Sequence, residues 1–182
     1  VGKGSMCDLL QETMVAHATA HKSVWGLHHE QSELFENCFG LYEHNNQPVW
    51  HIPWMFAPAG CASEGQYWLR QATEKFYTSE LYTGDEDNGS MSSWYLLSSI
   101  GIYQLAPGNT RYSIGSPMYA HVSLELDNGN TLDVVAPGNN PNTPYVCTAT
   151  FNGRTLSDLS IDYFDLRKGG ELRFEMSEVP CF

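Results

Sequence analysis

Positive charge is scarce in this sequence: 9 lysines and arginines stand against 21 aspartates and glutamates, for a formal net charge of −12 over 182 residues. Such a surface repels a phosphate polyanion, so no nucleic-acid partner is expected. Neutral sugars carry no such penalty, and divalent cations are attracted. Long apolar runs are missing too. None approaches the roughly 20 residues needed to cross a bilayer, and no membrane span is expected. There is no G-x-S-x-G, no phosphate-cradling glycine loop and no H-E-x-x-H. Cys7, Cys38, Cys61, Cys147 and Cys181 include no C-x-x-C, which argues against zinc. Their odd number prevents complete pairing within the chain and leaves the redox compartment open. The start, Val1-Gly2-Lys3-Gly4, has no initiator Met, basic start or apolar stretch of a signal peptide, and reads as the interior of a longer protein.

What is present is a packed, aromatic chain. Hydrophobic residues make up 42%, aromatics 13% and charged residues only 16%, a balance that excludes disorder. The grammar changes near Pro107-Gly108. Before it, residues 6–17, 64–77 and 91–103 carry apolar side chains at helical spacing or on most sides. Ser5 and Ser63 stand where N-caps of the first two would fall. Residues 50–60 hold Pro53 and Pro58, so a helix there must be short or kinked. Residues 21–43 fit neither pattern. After residue 107, apolar and polar residues alternate through 111–114, 121–126, 131–135, 145–151, 154–156 and 171–176, with turns at Asp127-Asn128-Gly129-Asn130 and Asn152-Gly153. The reading is α+β: a helical part over 1–106, then a small antiparallel β unit over 107–182.

Two polar clusters stand out. Gly84-Asp85-Glu86-Asp87-Asn88-Gly89-Ser90 directly precedes the apolar helix at 91. Acids at a helix N-terminus are stabilised by about 0.3–1 kcal/mol each, with Asp87 or Ser90 as the cap. That structural role competes with a metal or a catalytic water in front of the carboxylates. An EF-hand is excluded, because the twelfth position from Asp85 is Leu96 rather than a bidentate Glu. Asn88-Gly89-Ser90 also fits the N-glycosylation pattern; in a loop lining a site it is expected to be unmodified. The second cluster is His44-Asn45-Asn46-Gln47-Pro48, followed by Trp50, His51 and Trp54. Amides coordinate calcium and bind sugar hydroxyls, and indole faces stack on pyranose rings. Amides beside proline are equally ordinary turn formers, and a His among aromatics is commonly a satisfied core group.

Together the clusters resemble glycoside hydrolase family 92. The resemblance is carried by Gly84-Asp85-Glu86-Asp87-Asn88-Gly89-Ser90-Met91-Ser92-Ser93-Trp94-Tyr95, by Gly101-Ile102-Tyr103, by Gly115-Ser116-Pro117 and by Asn46-Gln47-Pro48-Val49-Trp50-His51-Ile52. Phe151-Asn152-Gly153-Arg154 and Lys168-Gly169-Gly170-Glu171 extend it, in order, to about residue 180. It implies a calcium-dependent, inverting exo-α-mannosidase with an N-terminal β-sandwich and an (α/α)6 barrel, of which this chain is the C-terminal part. Asp85 and Asp87 are then the candidates for general base. Asn46, Gln47, Trp50 and His51 are the expected substrate contacts, and Glu86, Asn46 and Gln47 the expected calcium ligands. The implied substrate is a terminal α-mannosyl linkage, α-1,2 foremost, of glycans such as N-glycans. A secreted, lumenal or periplasmic location is implied as well, with the missing N-terminal domain of the same chain as partner.

The sequence departs from the family at three site positions: Gln47 stands where Glu is usual, Ser90 where Gln is usual and Trp50 where His is usual. The family's general acid, a Glu in an E-G-N-x-W-like motif, is absent from these residues. These departures motivate one alternative, a mannoside-binding relative impaired in catalysis; a structural β module with a helical collar is the other.

Overall fold

The computed structural model describes residues 3–16, 38–80, 84 and 86–182, and most of the unassigned 21–43 stretch lies outside them. Helix α1, Lys3–Val15, buries Leu10 and Met14 and leaves Leu9 and Val15 exposed. It starts before Ser5, which therefore lies inside the helix instead of capping it. A disulfide joins Cys7 to Cys61, and a second joins Cys147 to Cys181, leaving Cys38 free. Strands β1 (Cys38–Phe39) and β2 (Tyr42–Glu43) pair antiparallel. Short 3-10 turns at Gln47–Val49 and Ile52–Met55 then run into α2, Phe56–Ala59. Pro48 and Pro53 stand at the start of these turns, where a missing N–H costs nothing.

Helix α3, Ala62–Phe76, places Leu69, Ala72 and Phe76 in the core. Each large apolar side chain so buried contributes about 1.5–3 kcal/mol. Ser63 is not its cap: it sits within the first turn, and its Oγ accepts the backbone N–H groups of Cys181 and Phe182 at 3.1 Å each. Helix α4, Ser90–Ser99, is shorter than the apolar run at 91–103 suggests. Gly101 ends it with φ +80, and a Cβ there would come within 3.2 Å of Pro117. The next residues, Ile102–Tyr103, form β3 and pair with β4, Arg111–Ile114. Helix therefore gives way to sheet slightly before Pro107.

The remaining elements are β5 (His121–Glu125), β6 (Thr131–Val135), β7 (Tyr145–Phe151), β8 (Arg154–Thr155), β9 (Ser160–Asp162), α5 (Tyr163–Leu166) and β10 (Gly170–Ser177). One sheet has the order β5-β6-β10-β7-β8 and another the order β3-β4-β9. The expectation of a wholly antiparallel unit is corrected here. β10 pairs antiparallel with β7 but parallel with β6, from Gly170 opposite Leu132 to Arg173 opposite Val135. After β8 the chain leaves this sheet for β9 and α5, and re-enters it running in the direction of β6.

Two apolar clusters hold the molecule together. One gathers Ile102, Ile114 and Ile161 from the smaller sheet with Leu132, Val134, Val146, Phe151, Leu172 and Phe174 from the larger. The other joins Tyr42, Trp50, Trp54 and Phe56 to Leu69, Phe76, Met91 and Trp94 of the helices. Arg70 of α3 ties helices to sheet connections. Its guanidinium, 2% exposed, donates to Ser116 Oγ at 3.2 Å, Pro117 O at 2.5 Å and Asn139 Oδ1 at 2.7 Å. Among the described residues no helix is long and apolar enough to cross a membrane.

Candidate active site

The two polar clusters of the sequence lie against each other. The first follows β2 and turns at Gln47–Val49, where Val49 N donates to Asn46 O and Trp50 N to Gln47 O, both at 3.2 Å. The second leads into α4. Gly84 lies so close to Asn45 that a Cβ on it would stand 2.3 Å from the Asn45 Cβ, and its φ of +111 suits glycine alone. Beyond that contact, Gln47 Nε2 donates a short hydrogen bond to Asp87 Oδ2. Asp87 is exposed and opens a 3-10 turn, Asp87–Gly89, through Asn88 in the left-handed region at φ 55. Short polar side chains such as Asn tolerate that conformation.

Glu86 is engaged by the helix. Its Oε2 and Oε1 lie 3.0 and 3.2 Å from Ser92 N, so the carboxylate meets the positive end of α4. The N-cap residue itself is Gly89, in place of the expected Asp87 or Ser90. Ser90 Oγ instead donates to Asp87 O at 2.5 Å, and Ser93 Oγ donates to Gly89 O at 2.7 Å.

Behind the contact stands an aromatic core centred on His44. This residue is 0% exposed, with Nδ1 at 2.6 Å from Tyr42 Oη and Nε2 at 2.8 Å from Tyr77 Oη. Its ring stacks on Phe76 at 5.1 Å and meets Trp94 edge-on at 4.5 Å. Burial without a charged partner lowers its pKa to about 3, so the imidazole is neutral at physiological pH. Burial also raises the Tyr42 hydroxyl well above its ordinary range.

The expected site residues therefore fall into different environments. Asp87, Gln47 and Glu86 are brought to one place, and Asn46 stands half-buried beside Gln47 at the turn. Asp85 lies outside the described residues. His51 is exposed at the start of the second 3-10 turn. Trp50 is only 3% exposed, and its Nε1 donates to His44 O at 2.5 Å; its ring belongs to the core rather than to an open stacking face. Tyr42 and Tyr77, which hold His44, gave no local signal in sequence. Their pairing with it spans up to 33 residues and arises from packing.

The donors near the contact are oxygens, from the Asp87 and Glu86 carboxylates and the Asn46 and Gln47 amides. That chemistry suits a hard cation such as Ca2+ and not zinc. Calcium takes about 6–8 oxygens, so by donor type these four side chains match part of such a shell. Among the described residues, no three His, Cys, Asp or Glu side chains cluster as a metal site by themselves.

Comparison with known proteins adds an independent line. The family profile described as Glycosyl hydrolase family 92 catalytic domain matches residues 2–178. A family GH92 alpha-mannosidase from Bacteroides thetaiotaomicron superposes with TM-score 0.84 at 28% identity, covering 98% of this chain and 22% of that one. Its complex with mannoimidazole superposes with TM-score 0.86 at 28% identity, covering 98% of this chain and 23% of that one. A family GH92 inverting mannosidase from the same species is 36% identical with TM-score 0.79, covering 99% of this chain and 25% of that one. No curated protein matches. The chain thus spans about a quarter or less of the length of these structures.

Proposed function

The chain belongs to glycosyl hydrolase family 92, and from that membership we propose that it forms the base-bearing part of a calcium-dependent, inverting exo-α-mannosidase. The observation that carries the reading is the hydrogen bond from Gln47 to Asp87, which joins the two site segments at the mouth of α4. A general base needs a partner that orients it, and the Gln47 amide fixes one carboxylate oxygen while leaving the other to accept a proton. In this reading Asp87 takes a proton from water as that water attacks the anomeric carbon. The leaving glycosidic oxygen receives a proton from an acid elsewhere in the protein, about 6.5–9.5 Å away across the sugar. Asp85 is the alternative base. The stereochemical outcome is drawn from the inverting mannosidase at 36% identity, and the mannoside class from the mannoimidazole complex.

Calcium, when bound, would engage sugar hydroxyls and favour the distorted ring shape that leads to the oxocarbenium-like transition state. Asn46 and Gln47 would contribute amide oxygens to it, and Glu86 a carboxylate oxygen shared with the backbone N–H of Ser92. The helical part belongs in this reading to an (α/α)6 barrel completed by other segments. Two disulfides support an oxidising compartment, secreted, lumenal or periplasmic. Terminal α-1,2-mannosyl linkages of glycans are the proposed substrate.

The test uses the full-length protein. Asp87→Asn is expected to lower kcat on α-mannosides by about 10²–10⁴-fold with an unchanged fold by circular dichroism. Proton NMR of wild-type turnover should show β-mannose first, and a chelator should abolish activity. Wild-type-like turnover by both Asp87→Asn and Asp85→Asn would reject the assignment.

A further inference from the structure

We propose that His44 is a positioning residue of this site: its side chain couples the loop carrying Gln47 to the helix following Asp87, and so keeps the Gln47 amide on the Asp87 carboxylate. The proposal rests on the reading of Asp87 as general base and adds to it a residue that touches no substrate.

The coupling follows a directional chain of hydrogen bonds. Tyr77 Oη lies 3.4 Å from Met91 O and 2.8 Å from His44 Nε2, and Tyr42 Oη lies 2.6 Å from His44 Nδ1; with the Tyr77 proton directed to Met91 O, the Nε2–H tautomer of His44 donates to Tyr77 and accepts from Tyr42. Met91 lies in the first turn of α4, four residues after Asp87. At the other end, the His44 carbonyl accepts Trp50 Nε1 at 2.5 Å, which closes the loop on which Gln47 lies midway. Trp94 of α4 donates its own Nε1 to Trp50 O at 3.2 Å and packs edge-on to the His44 ring. Loop and helix therefore meet through His44 and the two tryptophans.

Packing alone does not require histidine here. A phenylalanine would keep the stack on Phe76, but it would leave the fully buried Tyr42 hydroxyl without its acceptor and Tyr77 without its donor. The two ring nitrogens have separate conservative stand-ins. The amide nitrogen of Gln reaches the Nε2 position and can serve Tyr77, on the α4 side. The shorter Asn reaches only the Nδ1 position and can serve Tyr42.

In the full-length protein, His44→Phe and His44→Asn are expected to lose about 100-fold in kcat, as for a catalytic group displaced by roughly 1 Å. KM should stay within about threefold, because the loss falls on the chemical step. His44→Gln, which keeps the Tyr77 link, should retain kcat within about tenfold of wild type although it also leaves Tyr42 imperfectly paired. The thermal midpoints of all three variants are measured alongside. If kcat simply follows the thermal midpoint, with His44→Gln as impaired as His44→Asn, the role is structural and the proposal is overturned. Crystals of His44→Phe provide a readout that needs no activity: Gln47 should have left Asp87, and an unchanged Gln47–Asp87 contact overturns the proposal. A wild-type protein inert towards α-mannosides would defeat the assigned reaction, while the crystallographic arm would still decide the positioning role.

Discussion

Gln47 and Asp87, 40 residues apart in the chain, meet side chain to side chain, amide nitrogen to carboxylate oxygen. The neutral partner matters. A second carboxylate at position 47 would face Asp87 directly, and two ionised carboxylates in contact need a proton or a cation between them.

Gln47→Glu therefore tests whether an ion belongs at this contact. Without divalent cations the variant is expected to be less stable than wild type by about 1–2 kcal/mol, the cost of a pKa shift of about one unit. Added calcium should raise its thermal midpoint by more than it raises that of wild type. An equal calcium response in the two proteins would place the ion elsewhere.

Arg70 is the second target. Its guanidinium is 2% exposed and serves Ser116, the Pro117 carbonyl and Asn139 at once. Arg70→Ala would remove the donor to Ser116 and to Asn139 Oδ1 and leave the Pro117 carbonyl with Asn139 Nδ2 alone, at a cost of about 3–5 kcal/mol. Arg70→Lys should recover only part of that loss, because a point ammonium cannot span three diverging acceptors. Chemical denaturation measures both, and a loss within experimental error for Arg70→Ala would show that the acceptors find water.

His44 gives a pH signature of stability. Its folded pKa of about 3 lies below the ordinary 6.5, so between those values the unfolded chain binds a proton that the folded chain does not. Stability therefore rises with pH through that window and falls as pH drops from 6.5 towards 3, by up to about 1.4 kcal/mol per pH unit for one proton. Comparing wild type with His44→Phe isolates this component. Identical slopes for the two would mean that His44 titrates normally.

Much of the architecture was written locally. Alternation located β4 to β7 and β10, and Asp127-Asn128-Gly129-Asn130 marked the β5–β6 turn. The end of α4 was not legible, because Leu96, Leu97, Ile100 and Ile102 continue an apolar run and only the backbone at Gly101 breaks it. Parallel pairing of β6 with β10 leaves no mark in either strand, since alternation is the same for both directions. Arg70 looks like a surface charge on α3 until the loops bearing Ser116 and Asn139 close over it. The disulfide partners could not be chosen from spacing alone.

The site was legible as two motifs but not in its roles. Acids before α4 fit both a helix end and a reaction, and the structure divides them: Glu86 meets Ser92 N, while Asp87 meets Gln47. Trp50 has the side chain of a sugar platform, yet its neighbours Tyr42, His44 and Trp94 draw it into the core.

The place of β10 in its sheet has a consequence for biosynthesis. Until Gly170–Ser177 has left the ribosome, β5–β6 and β7–β8 are separate hairpins with a gap one strand wide between them. Each then exposes a hydrogen-bonding edge that only the late strand covers. The sheet closes from its centre and last, so a nascent chain stalled in the 160s would hold two unpaired edges open to neighbouring polypeptides.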